Sequence, residues 1–151
     1  IIEEYFDDKQ PVKTENHGLD IMNHVSKGIY GIRLDGVKNF TAKNICIKRI
    51  ENKSKANLSS NIITANCPYK QNKFNGTDSY GIILSCCRQG KLESTYVTEI
   101  TSVNGKATGM LIQNNSKDIK GILSTSNINS TEGQCLIVMS KNCHRCKINN
   151  I

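Results

Sequence analysis

One short pattern comes back four times along this chain, and few architectures can accommodate it. It reads Gly31-Ile32-Arg33-Leu34, then Lys38-Asn39-Phe40, then Ile45, Ile47 and Ile50. It returns as Gly81-Ile82-Ile83-Leu84, Lys91-Leu92, Val97 and Ile100. A third copy is Gly109-Met110-Leu111-Ile112, Lys117-Asp118-Ile119, Ile122 and Ile128. A fourth is Gly133-Gln134-Cys135-Leu136, Lys141-Asn142-Cys143, Ile148 and Ile151. The glycines lie 50, 28 and 24 residues apart. Each copy is a short apolar strand, a turn centred on lysine, and an apolar residue re-entering a core. Asn tolerates the left-handed backbone of tight corners, and stacked Asn side chains can form ladders. Strands that turn sharply at a period in the twenties describe a β-solenoid. A leucine-rich repeat fits poorly, because the apolar positions are mostly Ile and Val and the helical half is missing. A β-sandwich with coincidental spacing is the other alternative.

Composition agrees with strands. Ile, Val and Thr favour extended backbone, Asn and Gly favour turns, and helix formers are sparse. At 151 residues the chain fits one domain. No apolar run is long enough to span a bilayer, and no secretory leader pattern is present. The chain opens on Ile1-Ile2 rather than Met and stops at Ile151, so both ends read as cut from a larger chain or matured. The formal charge of +7 admits an acidic partner, such as an anionic glycan, nucleic acid or membrane surface. The plainer reading is that lysines coat a strand-rich surface and protect strand edges.

The run from Gly31 to Ile47, with its Gly-Ile-x-Leu, Lys-Asn-apolar and Asn-Ile-x-Ile elements, resembles the repeat of the pectin-lyase-like superfamily. The copies at Gly81, Gly109 and Gly133 resemble it more loosely. The resemblance covers about residues 28–151 with a break at 53–78. It implies an all-β fold, a right-handed parallel β-helix of about five coils. Residues 1–27 would form an irregular N-terminal cap or incomplete coil, and 28–151 the β-helix with an inserted loop at about 53–78. The expected core comprises Ile32, Leu34, Ile45, Ile47, Ile82, Leu84, Val97, Met110, Ile112, Leu136 and Ile148. An uncapped coil end is an exposed strand edge, so protein partners or self-association through coil ends are expected. The superfamily includes lyases, polygalacturonases, tailspikes, adhesins and non-catalytic stacks, and fold alone does not choose among them.

The chemistry-bearing residues point weakly. Polygalacturonases of the superfamily use clustered aspartates, Gly-His-Gly and Arg-x-Lys. Asn16-His17-Gly18 is a faint echo of the second, and Asp7-Asp8 lies outside the repeat. Glycoside hydrolysis needs two carboxyls facing each other across the scissile bond, and Asp35, Glu93, Glu99 and Asp118 do not align across the copies. A pectate lyase would need calcium, with Asp35 and Glu51 as the local acids and Arg33 as the base. An enzyme would therefore use Asp35, Arg33 and His17, with calcium as its cofactor only if it were a lyase. A solvated salt bridge and a surface histidine are the plainer readings.

The seven cysteines include Cys143-His144-Arg145-Cys146, which has zinc-knuckle spacing. No second pair accompanies it. Core packing is the favoured role for the cysteines, with a disulfide or a metal at Cys143, His144 and Cys146 as alternatives. Asn-x-Ser/Thr sequons at Asn52, Asn57 and Asn75 fall in the inserted loop and are candidate glycan sites, favouring an extracellular, virion or cell-surface location. Lys38, Lys117 and Lys141 are expected to stack as a basic ridge. Lacking interleaved aromatics, that ridge does not favour nucleic acid. The reading as a whole is a non-catalytic structural or surface-recognition protein within a larger chain or assembly, with a polysaccharide lyase or hydrolase acting on an anionic glycan as the alternative.

Overall fold

The computed structural model describes residues 5–7, 29–53, 55, 59–61 and 73–151. Among them every regular element is a strand: β1 (Tyr5–Asp7), β2 (Ile29–Asp35), β3 (Lys38–Asn52), β4 (Ser59–Asn61), β5 (Lys73–Asn75), β6 (Ser79–Ser85), β7 (Arg88–Ser102), β8 (Ala107–Gln113), β9 (Lys117–Ser130), β10 (Cys135–Ser140) and β11 (Lys147–Asn150). Two parallel sheets carry the fold, in the orders β1-β3-β7-β9-β11 and β10-β8-β6-β2, and neither closes on itself. The chain passes from one sheet to the other and back, so β2 with β3, β6 with β7, β8 with β9, and β10 with β11 form successive layers. β1 adds a rung beside Ile50, Glu51 and Asn52. The expected all-β class and parallel pairing are present.

Four recurrent corners explain how so many non-glycine residues reach positive φ. Gly36, Cys86, Asn114 and Asn142 occupy one corner of successive layers, and Asn39, Gln89, Asp118 and Arg145 the next. Asn44 and Ser94 make a third, and Arg49, Glu99 and Asn127 a fourth. Only at the first is the amide or glycine preference of such backbone largely honoured. Corner spacing is what the five-residue step from Phe40 to Ile45 to Ile50 reports: Asn39, Asn44 and Arg49 are five apart, as are Gln89, Ser94 and Glu99. The third layer takes an extra residue at its first corner, where Asn114 and Asn115 both have positive φ, and loses one where the pairing shifts between Leu92 and Thr95. The two changes cancel, so Ser102 still stands opposite Ser130.

The core lies between the two sheets. Ile47, Ile50, Val97 and Ile100 from one meet Ile82, Leu84, Met110 and Ile112 from the other, and Ile32, Leu34, Ile45 and Ile148 pack against them partly buried. Gly31, Gly81 and Gly109 form a ladder at which the backbone approaches its neighbours closely. A Cβ on Gly81 would lie 2.5 Å from both the Gly109 carbonyl oxygen and Val97 Cγ1.

Two sequence expectations are corrected by the register. Gly133 does not continue the ladder of Gly109. Ala107 faces Cys135 and Met110 faces Val138, so the interval between the last layers here is 28 residues, not 24. Val138 takes the core position expected of Leu136, which stands opposite Thr108. Gly133 instead repeats Gly105, each donating its N–H to a serine three residues earlier, Ser130 and Ser102. Among the described residues the 50-residue interval inserts no strand between the first two layers, because β2 pairs directly with β6 and β3 with β7. Later layers turn from Ser102 to Ala107 and from Ser130 to Cys135, whereas the first turns from Asn52 to Ser79 through the insertion. Asn52 clasps its far end, donating to the carbonyls of Gly76 at 2.9 Å and Asp78 at 3.0 Å. The antiparallel pair of β4 and β5 lies within it, while Ile62-Ile63-Thr64, the strand-like piece of the sequence, lies outside the described residues.

Candidate functional site

Register places cations in rows. Lys38 pairs with Arg88, Arg88 with Lys117, and Lys117 with His144. Three residues further on, Thr41 pairs with Lys91, Lys91 with Lys120, and Lys120 with Lys147. The two rows flank the positive-φ corner of Asn39, Gln89, Asp118 and Arg145. Over that corner and the second row runs an open groove of about 450 Å³ whose lining includes Asn39, Gln89, Lys91, Asp118, Lys120 and Arg145. Beneath it Phe40 packs against the core and fills the place of a side chain on Gly90. Parallel strands repeat at about 4.8 Å, which sets the spacing of charges along each row.

Two carboxylates belong to this face, and both have partners. Lys91 Nζ sits 2.7 Å from Glu93, whose carboxyl is held below its ordinary value by that hydrogen bond and charge. Arg145 donates from Nε at 2.6 Å and from a terminal nitrogen at 3.1 Å to Asp118. This fork lowers the Asp118 carboxyl and raises the guanidinium. Among the described residues, no carboxylate forms an ion pair with Lys38, Arg88, Lys117, Lys120 or Lys147.

The expected ridge of Lys38, Lys117 and Lys141 is thus only partly assembled. Lys38 and Lys117 share a row, but Lys141 does not join it. Its N–H bonds the Ile112 carbonyl, one residue before the Asn142 corner, and His144 takes the place beside Lys117. The alignment that set Lys91 against Lys38 missed Arg88. A visible signal existed, since Arg88-x-x-Lys91, Lys117-x-x-Lys120 and His144-x-x-Lys147 share one spacing.

The other candidates are dispersed. Arg33 Nε meets Asp35 at 2.8 Å within one strand, with the Arg33 side chain only 4 % exposed. Glu51, proposed beside Asp35, is on the other sheet, 3.5 Å from Lys53 and at a smaller groove of about 300 Å³ shared with Arg49, Glu99 and Thr101. Asp35 is followed along its row by Ser85 and Gln113, both buried and joined by a 3.0 Å hydrogen bond. His17 lies outside the described residues, as does Asn57. Asn75 is in β5. Asn52 is fully buried with its amide engaged, so the folded chain cannot carry a glycan there.

Cys143 and Cys146 pack against the core, and the Cys146 thiol donates to the His144 carbonyl at 3.4 Å. Burial first, then the neighbouring Cys143, raises the Cys146 thiol above its ordinary value. No group of three or more metal-ligating side chains occurs among the described residues. Cys86 is disulfide-bonded, which the odd cysteine count did not suggest. No helix among the described residues is long and apolar enough to cross a membrane. Compared with known proteins, the chain matches no protein-family model, no curated protein and no solved structure.

Proposed function

We propose that this chain is a right-handed parallel β-helix serving as a non-catalytic, rigid recognition or structural stack within a larger assembly. Right-handedness rests on the strong preference of parallel crossovers for that hand. The observation that carries the non-catalytic reading is the row beginning at Asp35. A lyase or hydrolase in such a stack needs acids at equivalent places on neighbouring layers. Here Ser85 and Gln113 fill them and bond each other inside the protein. Arg33 and Asp35 neutralise one another within the same strand.

The alternative, an enzyme acting on an anionic glycan, has one feature in its favour. Glu51 and Glu99 open onto one groove, although each already faces a cation. Incubation with acidic and neutral polysaccharides, with and without calcium, followed by mass spectrometry of the products, tests both. Intact polymer under every condition is expected. Shortened product, abolished in Glu51→Gln or Glu99→Gln, would overturn the non-catalytic reading and move the chemistry to that groove.

A further inference from the structure

The cation rows cost the fold something. Like charges directly opposite one another on neighbouring strands repel, and the sheet would be more stable with neutral residues there. Lysine is commonly placed on strands to blunt a sheet edge. That explanation fails for Arg88, Lys91, Lys117 and Lys120, which lie on β7 and β9, each bonded on both sides. Other outward rows of the described residues mix their chemistry: Arg49 faces Glu99, Lys48 precedes Thr98 and Ser126, and Glu51 precedes Thr101 and Asn129. On this face both rows keep one sign over consecutive rungs, and its two carboxylates, Glu93 and Asp118, are paired with Lys91 and Arg145.

We propose that this face binds a linear sulfated polysaccharide, lying along the stack axis over the groove. Three features select that chemistry. Rungs of two cations, Arg88 with Lys91 and Lys117 with Lys120, match a polymer bearing more than one anion per sugar better than a uronan bearing one carboxylate. Lys147, beside Lys120, carries the second row on to a third rung. Between the rows stand the amides Asn39 and Gln89 and the paired Asp118 and Arg145, with the Thr41 hydroxyl heading the second row, groups suited to sugar hydroxyls. The only aromatic of the groove, Phe40, is partly buried over Gly90 and is no platform for stacked bases. The site deepens the recognition role proposed above, but its residues are separate from Glu51 and Glu99, so failure of one leaves the other standing.

Titration calorimetry with heparin, polygalacturonate, single-stranded DNA and neutral dextran tests the assignment. Heparin is expected to bind most tightly, weakening steeply as salt shortens the range of charge interactions. Lys91→Gln/Lys120→Gln is expected to lose about tenfold or more in heparin affinity, while Lys48→Gln/Lys53→Gln on other surfaces loses little. Without ligand the first variant should melt close to the parent, because the exposed Lys91–Glu93 pair that it gives up contributes little and repulsion along the row is relieved, and heparin should raise the parent's Tm more than the variant's. DNA binding as tight as heparin's, polygalacturonate binding as tight as heparin's, no heparin binding, or equal loss in both variants would each overturn it. The first result would assign the face to nucleic acid and the second to carboxylated glycans. Cleavage of a polymer with heparin binding intact would sink the non-catalytic reading alone.

Discussion

Cys87 shows how burial decides the behaviour of a single side chain. Its thiol is fully buried and donates to the carbonyls of Leu34 at 3.3 Å and Ser85 at 3.5 Å, and loss of water pushes its pKa up to about 11. Since only the thiolate reacts, Cys87 should be alkylated last in the native protein and Cys135, which is exposed, first. Timed iodoacetamide labelling read by peptide mass spectrometry checks this; early modification of Cys87 would contradict its burial. Asp78 is the corresponding acid. Its carboxylate accepts from the Lys106 N–H at 2.8 Å and the Tyr80 hydroxyl at 3.0 Å, yet burial outweighs both and raises its pKa. A carboxyl raised in the fold binds its proton more tightly there than in the open chain. Its favourable contribution is therefore present in acid and lost as pH rises through the folded value. Asp78→Asn keeps an acceptor for Lys106 while abolishing the charge. The variant's Tm relative to the parent should rise between acidic and neutral pH; a difference independent of pH would show that the carboxyl titrates normally.

Corners are the elements on which this fold depends, and they were only half legible. The sequence marked those built from Asn, such as Asn39 and Asn142, because Asn after lysine is a recognisable turn signal. Gln89, Ser94, Glu99 and Arg145 also hold positive φ, and their residue types carry no such signal. Position in the stack imposes that backbone on them. This is also why a match on Lys-Asn slips, placing Lys91 beside Lys38 and Gly133 beside Gly109, while the apolar positions of the first two layers hold; in the third, Leu123 is buried and the expected Ile122 is exposed. The apolar code has few readings that bury every residue; the corner code tolerates many. The cation rows fell between, visible as a spacing but assigned to the wrong partners. Ser94, exposed and at φ 47, measures the cost of such a corner. A left-handed backbone costs an ordinary residue about 1–2 kcal/mol, which glycine avoids at the expense of a floppier unfolded chain. Ser94→Gly should therefore stabilise by up to about 1 kcal/mol in chemical denaturation; destabilisation would mean that the serine side chain supports the corner.

Stability across the whole molecule follows from stacking. Each layer touches chiefly the layers beside it, so protection should reflect how many neighbours a layer has and how completely it is covered. β6 and β8 are buried at every residue and have strands on both sides, as do β7 and β9 in the other sheet. β10 and β11 each pair on one side, and Cys135, Ile137 and Lys147 on them are exposed. Local opening of the last layer breaks one interface, whereas opening a central layer breaks two and uncovers Leu84, Val97 and Met110. Native-state hydrogen exchange should consequently be slowest at amides of β6, β7 and β8 and fastest at β10 and β11, with β9 between because its outer neighbour is the first to leave. Uniform protection through all four layers would show instead that the stack unfolds as one unit, and that the coupling between neighbouring layers exceeds the stability of any one of them.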